Sequence, residues 1–201
     1  MARRLKGWYT SITIGTDGLG LISYYDVTNK DLKAAHCANT LCSSAATYTL
    51  DSAGDVGYYT AIIIAGDGLG LISYFDGNNE DLKVAHCSNV ACSSATASTI
   101  DGVRGVGYYS SIAVGPDGLG IVSYSDLVNI SLKVSHCSNP VCSGASGANI
   151  DKTPSVLVGT DTSITIGSDG LPLISYRDLT NKDLKVAHCA NAICQSFIRR
   201  R

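Results

Sequence analysis

An all-β fold, a β-propeller of four repeated blades, is what this sequence predicts, and three observations predict it. One phrase recurs four times: DGLGLISYYDVTNKDLKAAHC (Asp17 to Cys37), DGLGLISYFDGNNEDLKVAHC (Asp67 to Cys87), DGLGIVSYSDLVNISLKVSHC (Asp117 to Cys137) and DGLPLISYRDLTNKDLKVAHC (Asp169 to Cys189). Its histidines fall at 36, 86, 136 and 188, so the period is 50, 50 and then 52, the mark of an array of one supersecondary unit. The chain is rich in Gly, Ser, Thr, Tyr, Ile and Val and poor in Met, Glu, Gln and Arg, a balance that favours strands and tight turns. A single unit of this length could hardly bury a stable core alone, so four units imply one array rather than four domains.

The second unit shows each element in order. Tyr59 to Ile64 is a β-rich run, and Gly66-Asp67-Gly68 carries the Asp-Gly signature of a hairpin turn. Leu69 to Phe75 is a second apolar run, closed by the polar cluster from Asp76 to Asp81. Leu82 to Cys87 begins with the alternation of a half-buried strand. Ser88 to Ala91 is a short loop, Ser94 to Ile100 a fourth strand, and Asp101 to Gly107 leads to the next unit. Four antiparallel strands per unit, repeated in tandem at about 40 to 50 residues, describe propeller blades. The blades fall at approximately 7–56, 57–106, 107–158 and 159–201 of one domain. A parallel β-helix is the competitor, but its shorter coils have no use for three hairpin turns per repeat.

The phrase from Asp169 to Cys189 resembles a family of bacterial tandem repeats of the "ISYYD…DLK" type, distantly similar to sialidase-like blades. The resemblance covers nearly all of the chain and implies a propeller fold without implying an activity. The sialidase Asp-box, Ser-x-Asp-x-Gly-x-x-Trp, is absent: Asp67 and Gly68 are adjacent and no Trp follows. A propeller must also complete its last blade, because an open edge strand invites pairing. Residues 195–200 can supply that strand, and the array then closes as four blades or pairs with a second copy into an eight-bladed ring.

Each unit carries His-Cys-x-Asn-x-x-Cys, pairing Cys37 with Cys42, Cys87 with Cys92, Cys137 with Cys142 and Cys189 with Cys194 at the neck of the third hairpin. Local disulfides fit this spacing and the even count. Metal is the rival, but a closed zinc site wants four ligands, and adjacent residues on a strand, such as His36 and Cys37, point to opposite faces. Buried free thiols are the third reading. His36, His86, His136 and His188 read as structural, hydrogen-bonded to turn backbone, since four equivalent copies argue against one asymmetric active site. The Asp26/Asn29/Asp31 cluster and its copies Asp76/Asn79/Asp81, Asp178/Asn181/Asp183 and Asp126/Asn129/Ser131 read as turn caps rather than calcium loops.

Aromatic residues repeat in two series. Tyr24, Tyr74, Tyr124 and Tyr176 lie mid-strand and read as packing between blades. Trp8-Tyr9, Tyr58-Tyr59 and Tyr108-Tyr109 follow Gly-containing loops, and unit four has Thr160-Asp161 instead. Of these, Trp8, Tyr58 and Tyr108 are the expected ligand contacts, because amphipathic rings near loops stack on sugars or anchor proteins.

A net charge of -2 gives no bulk attraction to nucleic acid. Basic residues cluster at Arg3, Arg4 and Lys6 and at Arg199 to Arg201, which read as solvated tails. No stretch is long and apolar enough to span a bilayer, no secretory signal is visible, and no cofactor is implied. Eight cysteines point to an extracellular or periplasmic compartment. The expected function is a non-catalytic binding or scaffold propeller, monomeric or homodimeric, presenting repeated sites to a glycan or protein. The alternatives are a propeller glycan hydrolase or lyase and a structural repeat with no evolved ligand. Enzymatic activity is disfavoured because no carboxylate pair stands out from the repeat.

Overall fold

A computed structural model describes residues 7–152 and 156–194, together with the backbone of 197–200. The basic side chains of both tails lie outside the described residues. Four meanders follow one another. The first is β1 (Gly7–Ile14), β2 (Gly20–Asp26), β3 (Asp31–Cys37) and β4 (Ala45–Asp51). The second is β5 (Val56–Ile64), β6 (Gly70–Asp76), β7 (Asp81–Cys87) and β8 (Ala95–Asp101). The third is β9 (Val106–Val114), β10 (Gly120–Asp126), β11 (Ser131–Cys137) and β12 (Ala145–Asp151). The fourth is β13 (Val158–Ile166), β14 (Pro172–Asp178), β15 (Asp183–Cys189) and β16 (Phe197–Arg200). Each meander is one antiparallel sheet in sequential strand order, a blade. The strand from residues 197–200 pairs with β15 as the fourth strand of its own blade.

Each hairpin is set by its turn. Between β1 and β2 the amide of Gly18 donates to the carbonyl of Gly15 at 2.9 Å, with Gly18 at φ 78°, a conformation that favours glycine. Asp17 braces the same turn by accepting the Leu19 amide at 3.0 Å. Between β2 and β3, Asp26 accepts from the Thr28 amide at 3.0 Å and from Asn29 Nδ2 at 2.8 Å. Asp76, Asp126 and Asp178 repeat this cap, so these acids serve the turn. Between β3 and β4 the disulfide Cys37–Cys42 crosses the neck, with Cys87–Cys92, Cys137–Cys142 and Cys189–Cys194 in the other blades.

The core lies between the blades. Leu21, Leu32 and Ala34 of blade one pack with Ile62, Ile72, Tyr74 and Cys87 of blade two in one cluster. The next cluster joins Leu71, Leu82 and Val84 to Ile112, Val122, Tyr124 and Cys137, and the third joins Ile121, Leu132 and Val134 to Ile164, Ile174, Tyr176 and Cys189. Packing therefore runs from β1 to β5, β9 and β13 in turn. Among the described residues no comparable packing returns from β13 to β1, so the four blades form an arc.

Equivalent leucines should then differ by position alone. Leu82 is fully buried, whereas Leu184 is 71 % exposed. Leu82→Ala is expected to cost about 2 to 5 kcal/mol in denaturant unfolding, as buried truncations do. Leu184→Ala is expected to stay within about 0.5 kcal/mol in the dilute chain. Equal effects would contradict the open arc.

A candidate aromatic binding face

The innermost strand of each blade is irregular near its start. The β5–β6 register shifts between Tyr58 and Ala61, and β1, β9 and β13 carry the same irregularity. The residue in the bulge sits in the left-handed region: Tyr9 at φ 52°, Tyr59 at 51°, Tyr109 at 55° and Asp161 at 52°. A bulky side chain there is a true outlier, costing on the order of 1 to 3 kcal/mol, and such strain concentrates at functional positions. Asp tolerates the conformation better than Tyr.

The bulge breaks the strand alternation, so that neighbouring rings join one cluster. Tyr9 and Tyr59 have centroids 4.6 Å apart, and Tyr59 and Tyr109 follow at 4.7 Å. The three rings thus form a row across three adjoining inner strands. Ser110 Oγ donates to the Tyr59 carbonyl at 2.8 Å and pins the strained backbone from the next blade. Burial, then the Tyr109 and Tyr9 hydroxyls, push the Tyr59 phenol well above its ordinary range. The equivalent position in blade four is the carboxylate Asp161, whose charged neighbour is Arg177 at 3.8 Å. Arg177 occupies the position held by Tyr25, Phe75 and Ser125 in the other blades.

The sequence-derived candidates are distributed around this row. Trp8 is 58 % exposed and meets Tyr9 edge-on, with centroids 6.4 Å apart. Tyr58 is half-buried and stacks on Tyr25 of the preceding blade at 4.3 Å, and Tyr108 lies against Phe75 at 4.1 Å. These two rings bridge blades and back the row. Tyr25 Oη also donates to Asp55 at 2.7 Å, and Lys30 pairs with Asp55 at 2.9 Å. Spacing in the sequence shows the tyrosine pairs but gives no sign that the second member carries the bulge. Only the substitution of Asp161 for Tyr marks that position.

The remaining polar repeats hold the blades in place. Tyr74 Oη and Lys83 Nζ both reach back to Asp51 of the preceding blade, at 2.7 and 2.5 Å. Tyr124 and Lys133 reach Asp101 in the same way, and Tyr176 and Lys185 reach Asp151. Burial pushes Asp51 upward, but Lys83 and Tyr74 outweigh it and hold the carboxyl below its ordinary range. The histidines also differ from the expected contact with turn backbone. His36 Nε2 lies 2.8 Å from Asp17, His86 2.8 Å from Asp67 and His188 2.8 Å from Asp169. His136 lies 2.9 Å from Asp117 but is turned out of line for a hydrogen bond. A side-chain carboxylate already fixed by the hairpin is a better acceptor than the turn carbonyls, which bond within the turn. Among the described residues no three His, Cys, Asp or Glu side chains gather as a metal site.

No protein-family model matches the chain, and no curated protein resembles it in sequence. Solved structures do resemble it. A protein of unknown function from Dyadobacter fermentans is 10 % identical with a TM-score of 0.66, over 94 % of this chain and 63 % of that one. The α-L-arabinanase of Penicillium chrysogenum, solved with arabinobiose, is 12 % identical with a TM-score of 0.66, over 98 % of this chain and 66 % of that one. An α-L-arabinofuranosidase from Lactobacillus brevis is 12 % identical with a TM-score of 0.63, over 97 % of this chain and 72 % of that one. The fold is a β-propeller. The chain spans a little under two thirds of the first two propellers, and at these identities the likeness is one of fold.

The caps make stability depend on acid. Burial raises Asp26 and Asp178, but hydrogen bonds and the charges of Lys33 and Lys185 dominate and bring each to about 2, against 3.8 for an ordinary aspartate. A carboxyl depressed in the folded state stabilises above its unfolded pKa and loses that contribution as pH falls through the folded value. Stability is therefore expected to drop between about pH 4 and pH 2. Asp178→Asn should cost on the order of 1 to 2 kcal/mol at pH 7 and converge with the parent near pH 2. Denaturant titrations across pH check this, and parallel curves would refute it.

Proposed function

We propose that this chain is a non-catalytic glycan-binding propeller whose ligand lies along Tyr9, Tyr59 and Tyr109 and ends at Asp161. The continuous row of rings, held at strained positions and terminated by one carboxylate, carries the proposal. Aromatic faces stack on the C–H surfaces of sugars, and a carboxylate accepts hydrogen bonds from their hydroxyls. Trp8 extends the row at its exposed end, with Tyr58 and Tyr108 supporting it from behind. The propeller enzymes resembling this chain include one solved with arabinobiose, which supports an oligosaccharide as the ligand class.

Glycoside hydrolysis needs two carboxyl groups flanking the bond, roughly 5 to 10 Å apart. Here the positions equivalent to Asp161 are tyrosines, which supports binding over cleavage. Four disulfides suit an oxidising compartment, extracellular or periplasmic, where free glycans are met.

An oligosaccharide array that includes arabinobiose, followed by calorimetry on the hits, tests the reading. Tyr59→Asn removes the ring while suiting the left-handed backbone better, so the variant should fold as well as the parent and bind about tenfold more weakly. Asp161→Asn should weaken binding by a similar factor. An empty array, or affinity unmoved by both substitutions, would sink the proposal.

A further inference from the structure

The two ends of the arc carry the two halves of an interface that the chain builds three times within itself. Inside the arc, each blade presents two apolar knobs to the next, which meets them with glycines, except that blade four has Pro172 where blades two and three have Gly70 and Gly120. Leu32 sits so close to Gly57 that an added Cβ would lie 2.9 Å from the Leu32 Cα, and Leu82 with Gly107 and Leu132 with Gly159 repeat the contact at 2.9 and 2.7 Å. Leu21 meets Gly70, and Leu71 meets Gly120, at 3.0 and 2.7 Å by the same measure. The isoleucine beside these sockets is buried in every covered blade: Ile62, Ile112 and Ile164.

Among the described residues no other blade covers this face of blade one, but Gly7 is met from within its own blade, where an added Cβ would lie 2.9 Å from the Tyr24 Cδ2. Gly7 and Gly20 stand where Gly57 and Gly70 stand, and Ile12 is 64 % exposed. Gly7, Ser11, Ile12, Ile22 and Tyr24 line an open hollow of about 380 Å³. Cys42 is exposed here, while Cys92, Cys142 and Cys194 are buried. Among the described residues nothing covers the knobs of blade four: Leu184 and Leu173 are exposed where Leu32 and Leu21 are fully buried. Lys33 pairs with Asp26 of its own blade at 2.7 Å, so docking on blade one would not leave Lys33 unpaired.

We propose that a second copy of this chain occupies these faces head to tail, Leu173 of one copy seating at Gly20 of the other and Leu184 taking the place at Gly7 that the Tyr24 ring holds in the single copy. The contact continues the internal blade–blade interface and is independent of the glycan proposal. It is heterologous, so it closes into a ring if the rotation allows and otherwise extends as a ladder.

Sedimentation velocity on the full chain across concentration tests it, together with Ile12→Glu and Leu184→Glu. Both positions are exposed in a single copy, so both variants should keep the parent's circular dichroism. The parent is expected to associate, as a discrete dimer or as a ladder. Each variant alone should associate at least tenfold more weakly. An equimolar mixture of the two should recover a 1:1 dimer and stop there, because one intact front and one intact back remain. A parent that stays monomeric at every concentration overturns the proposal and leaves the faces to a partner of different sequence. A variant that associates like the parent, or a mixture that stays monomeric, overturns it as well.

Discussion

Burial between blades is the interaction on which everything else in this structure depends. A four-stranded sheet has two faces, and neither can bury itself. Leu32 lies at the boundary between blades one and two. It is buried because Gly57, Val56 and Tyr74 of blade two come up against it. The consequence is a division of labour along the repeat. Glycines sit where backbones must approach, branched aliphatics where side chains interlock, and local devices do the rest: the Asx turns, the Asp–His pairs and the short disulfide loops. A disulfide that closes so small a loop restrains the unfolded chain less than a long-range bridge would. Its place at the hairpin neck instead keeps the third and fourth strands in register where Cys87 and Cys92 enter the inter-blade core.

The same constraint shapes the inner strands. Inner strands of adjoining blades run side by side, linked by Ser11 to the Ile62 amide and by Ser111 to the Ile164 amide, each at 3.2 Å. The bulge at Tyr59 turns its carbonyl toward Ser110 and its ring toward Tyr9 and Tyr109. Blade packing and the aromatic row are thus two results of one backbone feature. The neighbouring blades hold the strained tyrosines in place, as strain at a site requires.

Much of this was legible in the residues. The period, the strands, the Asp-Gly turns and the mid-strand tyrosines follow from pattern, because each is a local consequence of side-chain type. The Asp17–His36 pair was legible in principle, since its separation of nineteen residues recurs in all four units. The spacing alone does not announce it, because the two residues belong to different hairpins and meet only when the blade's register is known. The row of Tyr9, Tyr59 and Tyr109 was hidden for another reason. A Tyr-Tyr pair in a strand should alternate between faces, and nothing in its composition announces a left-handed residue that normally calls for glycine. The open ends of the arc were also hidden, because Leu184 and Leu82 lie in identical phrases, DLKVAH, and differ only in what stands next to them.

That last contrast explains where function should be sought in a repetitive chain. Positions repeated in all four units, such as the acids of the second turn, answer demands that every blade shares, and their repetition accounts for them. Departures need another reason. Blade four replaces the strained tyrosine with Asp161 and the bridging aromatic with Arg177. Neither change improves a blade: both side chains are largely exposed, and the ion pair at 3.8 Å is too open to add much stability. Together they put a carboxylate and a guanidinium at positions that are aromatic in blades one and two. The quasi-symmetric row of inner strands thereby gains a direction.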